Sequence, residues 1–336
     1  MIDLRARLSL EHPLFQVGFA GGLASAELAA AVSRAGALGT LGLVPADELG
    51  RQLARARALA PGRPLAVNLL MPFARRAHVD ACIAARVAAV VLFFGYRRAW
   101  VARLRAAGVL VVHQVGTAAE ARRALADGAD ALVAQGREAG GHLLGVDPAH
   151  AALAQILAVS DGAPVLLAGG VVDAAAVRAA LAAGASGVAC GTRFLLSDEC
   201  RAHPGYKARV LGAPRTIETR LFGFGWPARH RVVPNAATER WCAASPDGPL
   251  WSRALRRLSA PLPHLVPMKS GDELIRAQRL SVPLYSPACA SETTDAAALD
   301  WTPLYAGERA RDVTSVLPAA TIVRELAAGF GATGPA

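Results

Sequence analysis

Residues 124–130, Ala-Leu-Ala-Asp-Gly-Ala-Asp, return in outline at 180–186 as Ala-Leu-Ala-Ala-Gly-Ala-Ser. In both places an Ala/Leu-rich helical stretch runs into a glycine, Gly128 or Gly184, and then into a short apolar run, 131–135 or 187–190. Glycine accepts the left-handed backbone that stops a helix. A helix, a glycine stop and a buried strand, repeated along a chain, make the rhythm of a (β/α)8 barrel.

The unit extends outward from this echo. Apolar runs at 14–17, 38–43, 65–69, 89–94, 109–114, 131–135, 165–168 and 187–190 predict eight strands. Helical stretches at 25–35, 46–59, 74–86, 97–107, 117–127 and 173–183, and one starting at Asp147-Pro148, separate them. The runs are apolar on both faces, as parallel strands buried by helices should be. Thr117 and Glu120 carry the spacing of a capping box. Asp147 followed by Pro148 reads as a capping side chain with proline at the first helical position. A doubly wound sheet needs fewer units and usually a glycine-rich turn after its first strand, which Gly21-Gly22 imitates only in part. The expected fold is therefore α/β, a (β/α)8 TIM barrel over 1–213.

After Gly212 prolines and tryptophans crowd in (Pro214, Trp226-Pro227, Pro234, Trp241, Pro249, Trp251). Residues 214–300 are expected to form a smaller inserted domain, α-rich and irregular, with helices at 250–258 and 272–279, lying over the barrel as a lid. The C-terminal segment 301–336 is expected to return to the barrel through an amphipathic helix at 318–328.

Composition narrows the function. In 336 residues, 53% are hydrophobic against 18% charged, which builds a large core and excludes a disordered chain. The net charge is +10, and all but two of the 36 basic residues are arginines (only Lys207 and Lys269 are lysines). They are scattered rather than clustered among aromatics, which argues against nucleic acid and suits an anionic cofactor or substrate. No run of about 18 apolar residues lacks a charge or a turn, so no membrane span is expected. The N-terminus lacks the pattern of a signal peptide. Five widely spaced cysteines without a C-x-x-C fit a reducing cytoplasm and no metal site. The expectation is a cytoplasmic protein, monomer or homodimer, acting on a small molecule.

In a barrel the loops after the strands form the site. The loop after the sixth strand, 134–145, reads Ala-Gln-Gly-Arg-Glu-Ala-Gly-Gly-His-Leu-Leu-Gly. Its glycines, among them Gly140 and Gly141, let the backbone approach a flat ligand closely. The other strand ends supply Gly18, Phe19 and Gly21-Gly22, then Asn68, then His113 and Gln114, then Gly169-Gly170 with Asp173 as a helix cap, and Gly191-Thr192. Glycines after the seventh and eighth strands expose N–H groups to an anion, which is the usual phosphate site of a barrel. A phosphate there, with Asn68 and Gln114 as amide partners deeper in, suits FMN. His142 is the candidate base, because imidazole exchanges protons near neutral pH; His113 is its rival.

The stretch Gln135-Gly136-Arg137-Glu138-Ala139-Gly140-Gly141-His142 resembles the active-site signature of the nitronate monooxygenase family. So do Ala168-Gly169-Gly170-Val171 with Asp173, and Gly191-Thr192-Arg193-Phe194-Leu195 followed by Glu199 and His203-Pro204. Ala20-Gly21-Gly22, Asn68 and Leu304-Tyr305-Ala306-Gly307 fit as well. The resemblance implies an FMN-dependent barrel that oxidises alkyl nitronates, and nitroalkanes, with O2 to a carbonyl compound and nitrite. It implies that His142 is the catalytic base. It also implies that the glycines and Thr192 hold the flavin phosphate, and that the Asn68 position touches the flavin. Gln135, Gly140 and Gly141 belong to the same expected flavin site.

Two departures stand out. The family often has a Pro-Met pair where this chain has Gly18-Phe19, and Leu143-Leu144 delays the glycine after the histidine to Gly145. A second enzyme class shares the Glu-Ala-Gly-Gly-His loop and the Gly-Thr-Arg-Phe run: FMN-dependent enoyl-acyl-carrier-protein reductases that use NAD(P)H. An inosine-monophosphate-dehydrogenase type of barrel needs a cysteine in the loop after the sixth strand, and residues 136–147 have none.

Overall fold

The computed structural model describes residues 2–19, 21–265 and 271–331. Ala20, quoted in the resemblance above, lies outside them. In chain order the elements are α1 (Leu4–Leu8), β1 (Leu14–Gln16), α2 (Ala26–Arg34), β2 (Gly39–Leu41), α3 (Ala46–Leu59), β3 (Leu65–Leu70), α4 (Arg76–Ala84), β4 (Ala89–Phe93), α5 (Arg98–Ala106), β5 (Leu110–Val115), α6 (Ala118–Ala126), β6 (Ala131–Gln135) and β7 (Gly141–His142). There follow α7 (Ala149–Leu157), β8 (Val165–Ala168), α8 (Ala174–Ala182), β9 (Gly187–Cys190), α9 (Thr192–Leu195), α10 (Pro204–Val210), β10 (Ile217–Thr219) and β11 (His230–Val233). The chain ends with α11 (Ala236–Trp241), α12 (Leu250–Leu258), α13 (Leu262–Leu265), α14 (Gly271–Arg276), β12 (Leu304–Tyr305) and α15 (Ala319–Ala327).

Eight strands pair in parallel in the order β1-β9-β8-β6-β5-β4-β3-β2. The two ends of that order meet. Leu38 donates its N–H to Leu14 O (2.9 Å), and Gln16 donates to Leu38 O (3.0 Å). The sheet is thus a closed (β/α)8 barrel, and closure removes the unpaired edges that an open sheet would expose. Large and small residues share the interior: Phe15, Val91, Leu110, Val112 and Leu166 pack with Ala66, Ala89, Ala131 and Ala189. Leu4 and Leu8 of α1 join this cluster, and Arg7 binds Gly108 O just ahead of β5. The first helix therefore plugs the N-terminal end of the barrel and leaves the C-terminal end open.

Side chains cap the helices where the sequence places them. Thr117 Oγ1 accepts from Glu120 N, Ser25 Oγ from Leu28 N, and Asp173 Oδ1 from Ala176 N. The start of α7 differs from expectation. Pro148 stands at the cap itself, and Asp147 does not cap; Glu138, from the loop after β6, accepts from Ala149 N at 2.8 Å. A residue distant in sequence has taken the role of the local one. The helix expected over 272–279 ends at Arg276, since Gln278 turns back and donates to Leu274 O while accepting from Ser286 N.

A second, smaller sheet is antiparallel. β11 pairs with β10 on one side, and with β12 and then β7 on the other. Leu221, Phe222, Val232, Ala237 and Tyr285 form its small core. β7 is the middle of the stretch that reads as a loop in the sequence, and it ties the mouth of the barrel to this second sheet.

Candidate active site

The C-terminal ends of the barrel strands open into a cavity of about 800 Å³. Its wall brings together Gly18, Phe19, Asn68, Gln114, Gln135, Gly140, Gly141, His142, Gly169, Gly170, Gly191 and Thr192. His113 is not part of that wall. Both of its ring nitrogens face backbone carbonyls, Gln114 O at 3.1 Å and Gly95 O at 3.0 Å, and its ring stacks on Tyr96.

One end of the cavity gathers backbone donors that could hold an anion. Gly169 and Gly170 take φ of +113° and +74°, and among the described residues the N–H groups of Gly170, Gly191 and Thr192 find no acceptor. Buried or half-buried donors without acceptors are costly unless a ligand meets them. Arg309 stands beside them, donating to Gly170 O at 3.3 Å and to Asp173 Oδ2 at 2.8 Å. Thr192 Oγ1 is engaged, accepting from Gly307 N at 2.9 Å.

Deeper in, Asn68 donates Nδ2 to Gly18 O at 2.9 Å, which leaves Oδ1 buried without a donor. A Cβ on Gly18 would lie 2.7 Å from both Leu41 O and Asn68 Cβ, so only glycine lets β1 end this close to β3. The Gln114 side chain, at the end of β5, makes no hydrogen bond among the described residues. Two amides with free valences thus face the cavity floor.

His142 is held from several directions. It pairs with His230 across the β7–β11 register, and Leu143 N donates to Arg229 O at 2.8 Å. The Gln135 amide clasps the loop on both sides of the histidine, donating to His142 O (2.8 Å) and accepting from Leu144 N (3.0 Å). This clasp uses the second leucine of the Leu143-Leu144 departure. Arg231, nearly buried, donates to Arg137 O and pairs with Glu218 and Glu308 at 2.6 and 2.9 Å. A Cβ on Gly140 would sit 2.5 Å from the Ala306 carbonyl carbon, so glycine is required where the loop backs onto the C-terminal segment.

Around the imidazole the surroundings are aromatic. His142 stacks on Trp226 with ring centroids 3.7 Å apart and planes at 18°, and Phe94, Tyr305 and His230 complete the box at 6.3, 5.2 and 5.1 Å. Nε2 of His142 and Nε2 of His230 are both buried without partners. Burial holds the His142 pKa well below the usual histidine value, and the neighbouring His230 adds to this. Burial pushes His230 down to about 4, against a partial offset from Ala228 O, which faces its Nδ1 at 3.0 Å. The Tyr305 phenol is held well above its usual pKa, again by burial. Both imidazoles are therefore neutral at pH 7, and a neutral imidazole with a free nitrogen can accept a proton.

Four residues of this site escape a reading of the sequence alone: Trp226, His230, Tyr305 as a wall of the box, and Arg309. Trp226 shows in the sequence only as a change of texture, and His230 as one histidine among eight. Nothing local marks Arg309; it reaches Gly170 because the C-terminal segment crosses the barrel mouth.

The family model described as nitronate monooxygenase matches residues 3–79 and 70–329 of this chain. The (3aS,4S,5R,7aS)-5-hydroxy-7a-methyl-1-oxo-octahydro-1H-indene-4-carboxyl-CoA dehydrogenase of Mycobacterium tuberculosis is 34% identical over 240 residues, 69% of this chain and 66% of that relative's length. A nitronate monooxygenase of Pseudomonas aeruginosa is 34% identical over 262 residues, covering 64% of this chain and 74% of its own. The solved structure of nitroalkane oxidase from Streptomyces ansochromogenes superposes with a TM-score of 0.77 at 28% identity, covering 98% of both chains.

Proposed function

We propose a function that proceeds from one premise: this chain belongs to the nitronate monooxygenase family. It is an oxidoreductase of a flavin-dependent family. We read its reaction as the oxidation of alkyl nitronates by O2, with nitroalkanes as further substrates, to a carbonyl compound and nitrite. The single observation that carries this reading is a buried imidazole, His142, whose Nε2 has no hydrogen-bond partner, in the same cavity as the backbone N–H groups of Gly170, Gly191 and Thr192.

The residues present fit FMN. The free N–H groups of Gly170, Gly191 and Thr192, with Arg309 beside them, would hold a single phosphate. The bare Oδ1 of Asn68 and the free amide of Gln114 would meet the polar edge of a flat ring. Gly141, where an added Cβ would meet nothing within 4 Å, is a place where the loop backbone lies open to the cavity. Bound there, a flavin supplies the acceptor for electrons that leave the nitronate. His142 takes the α-proton of a neutral nitroalkane, so that the substrate becomes the nitronate and the imidazole becomes charged. Gln135 keeps that imidazole in place through both sides of the loop. Trp226, Phe94 and Tyr305 keep water from it. A preformed nitronate needs no such base.

We further read 1–213 as the flavin-binding barrel, 214–300 as an inserted lid or substrate domain, and 301–336 as the segment returning to the barrel. No helix among the described residues is long and apolar enough to cross a membrane. We place the protein in the cytoplasm, with small molecules as its reactants.

Anaerobic reduction of the bound flavin tests the reading. Propyl-2-nitronate should bleach the flavin band quickly and NADH slowly, and in air the nitronate should drive O2 uptake with nitrite release. Fast bleaching by NADH, with nitronate inert, would overturn it in favour of redox chemistry at an acyl thioester. That second reading is favoured by the shared Glu-Ala-Gly-Gly-His loop and by the carboxyl-CoA dehydrogenase among the relatives.

A further inference from the structure

Helix α12 is built inside out. Its inward face is polar: Ser252, Arg256 and Ser259 are buried, and Arg256 is 1% exposed. The Arg256 guanidinium donates to Ser252 Oγ (2.9 Å), Pro283 O (3.3 Å) and Asp247 O. The outward face is apolar: Leu250, Trp251, Leu255 and Leu258 are 77%, 50%, 42% and 76% exposed, with exposed Ala254 among them. Seven of the ten exposed large hydrophobic residues of the described chain lie between 250 and 282. Together those seven side chains show on the order of 700 Å² to solvent, about 500 Å² of it on α12, against the roughly 800 Å² per partner of a standard interface.

We infer that this face is the interface of a homodimer, in which α12 pairs antiparallel with α12 of a second copy about a twofold axis at Ala254. The face is complementary to itself under that operation. Positions equidistant from Ala254 meet across the axis, so Leu250 lies opposite Leu258 of the partner subunit and Trp251 opposite the partner's Arg257. The first pair is apolar on apolar, and the second sets a guanidinium over an indole. Alanine at the centre permits close approach of the two helices. A twofold interface needs this self-complementarity, residue i meeting j and j meeting i.

An anionic lipid surface is the weaker occupant. An interfacial helix turns its basic polar face toward the headgroups, but here that face is sealed inside the protein and only Arg253 and Arg257 remain near the rim. The inference reaches the active site, because Leu262 and Leu274, which follow α12 in the chain, are both partly exposed and part of the cavity wall. The partner subunit would cover the outer rim of the cavity mouth.

Sedimentation velocity of the full-length holoprotein at micromolar concentration tests this. The wild type should be a dimer. Leu258→Glu and, separately, Leu250→Lys should raise its dissociation constant at least about a hundredfold, since each change enters the interface twice. Both positions are more than three-quarters exposed, so the folded subunit should retain its flavin and circular dichroism. Leu59→Glu, on exposed α3, should leave the dimer intact. An equimolar mixture of the Leu258→Glu and Leu250→Lys variants should re-form a dimer, because the two substitutions face each other across the axis. A monomeric wild type, a dimer that survives both substitutions, or a mixture that stays monomeric would overturn the inference. A monomer that pellets with phosphatidylglycerol vesicles would do the same, and would assign the face to lipid.

Discussion

Replacing His230 by glutamine should flatten the acid limb of the stability curve. His230 is fully buried, its Nδ1 faces Ala228 O at 3.0 Å and its Nε2 has no partner. Its pKa falls from 6.5 to about 4 because burial penalises the charged ring. The folded value lies below the unfolded one, so the stabilisation is fully present above the unfolded value and is lost as pH falls. Between the two values the unfolded chain takes up a proton that the folded chain refuses. From one pKa unit per about 1.4 kcal/mol, the loss is about 2 kcal/mol by about pH 5 and about 3 kcal/mol once the pH has fallen through the folded value. His142 shifts in the same direction and steepens the limb further. Glutamine can still donate to Ala228 O but does not titrate. Urea unfolding at about pH 7.5 and about pH 5, at fixed excess of free flavin, should show wild type losing about 2 kcal/mol more than His230→Gln between the two conditions. An equal loss in both proteins would refute the claim that this imidazole is buried neutral.

His142→Gln should lower kcat/KM for neutral nitroalkanes by about 10²–10⁴ while leaving preformed nitronates within about tenfold, as steady-state O2 uptake would show. In the wild type the acid limb of nitroalkane turnover should lie below the ordinary histidine range, because the base stays neutral as the pH falls. Trp226→Ala should cost about 3–5 kcal/mol, seen as a lower Tm, and should move that acid limb upward as water reaches His142. Arg309→Met should weaken flavin binding by about tenfold or more, measured by fluorescence titration, and should reduce its salt dependence. Gly140→Ala should destabilise the fold by at least about 2 kcal/mol in urea, because the added carbon would meet the backbone at Ala306 and Gly307.

The sequence by itself determined the barrel. Apolar runs, glycine stops and caps such as Thr117 and Asp173 are local features, and strand and helix follow from them almost residue by residue. It also determined which strand ends line the cavity, since in a barrel those positions follow from strand order. Asn68, Gln114, His142 and the Gly169-Gly170 and Gly191-Thr192 pairs all reach one cavity for that reason. The tertiary structure decided what surrounds them. The stretch at 141–142 contains nothing that specifies a strand; it becomes one because β11 offers an edge. Glu138 rather than Asp147 caps α7, because the loop after β6 folds back over that helix start. Trp226 and His230 close on His142, and Arg309 on Gly170, from segments far along the chain. Such contacts depend on how an irregular segment packs. No periodicity encodes that packing, so the burial that keeps His142 neutral below the ordinary histidine range is a property of the folded molecule alone.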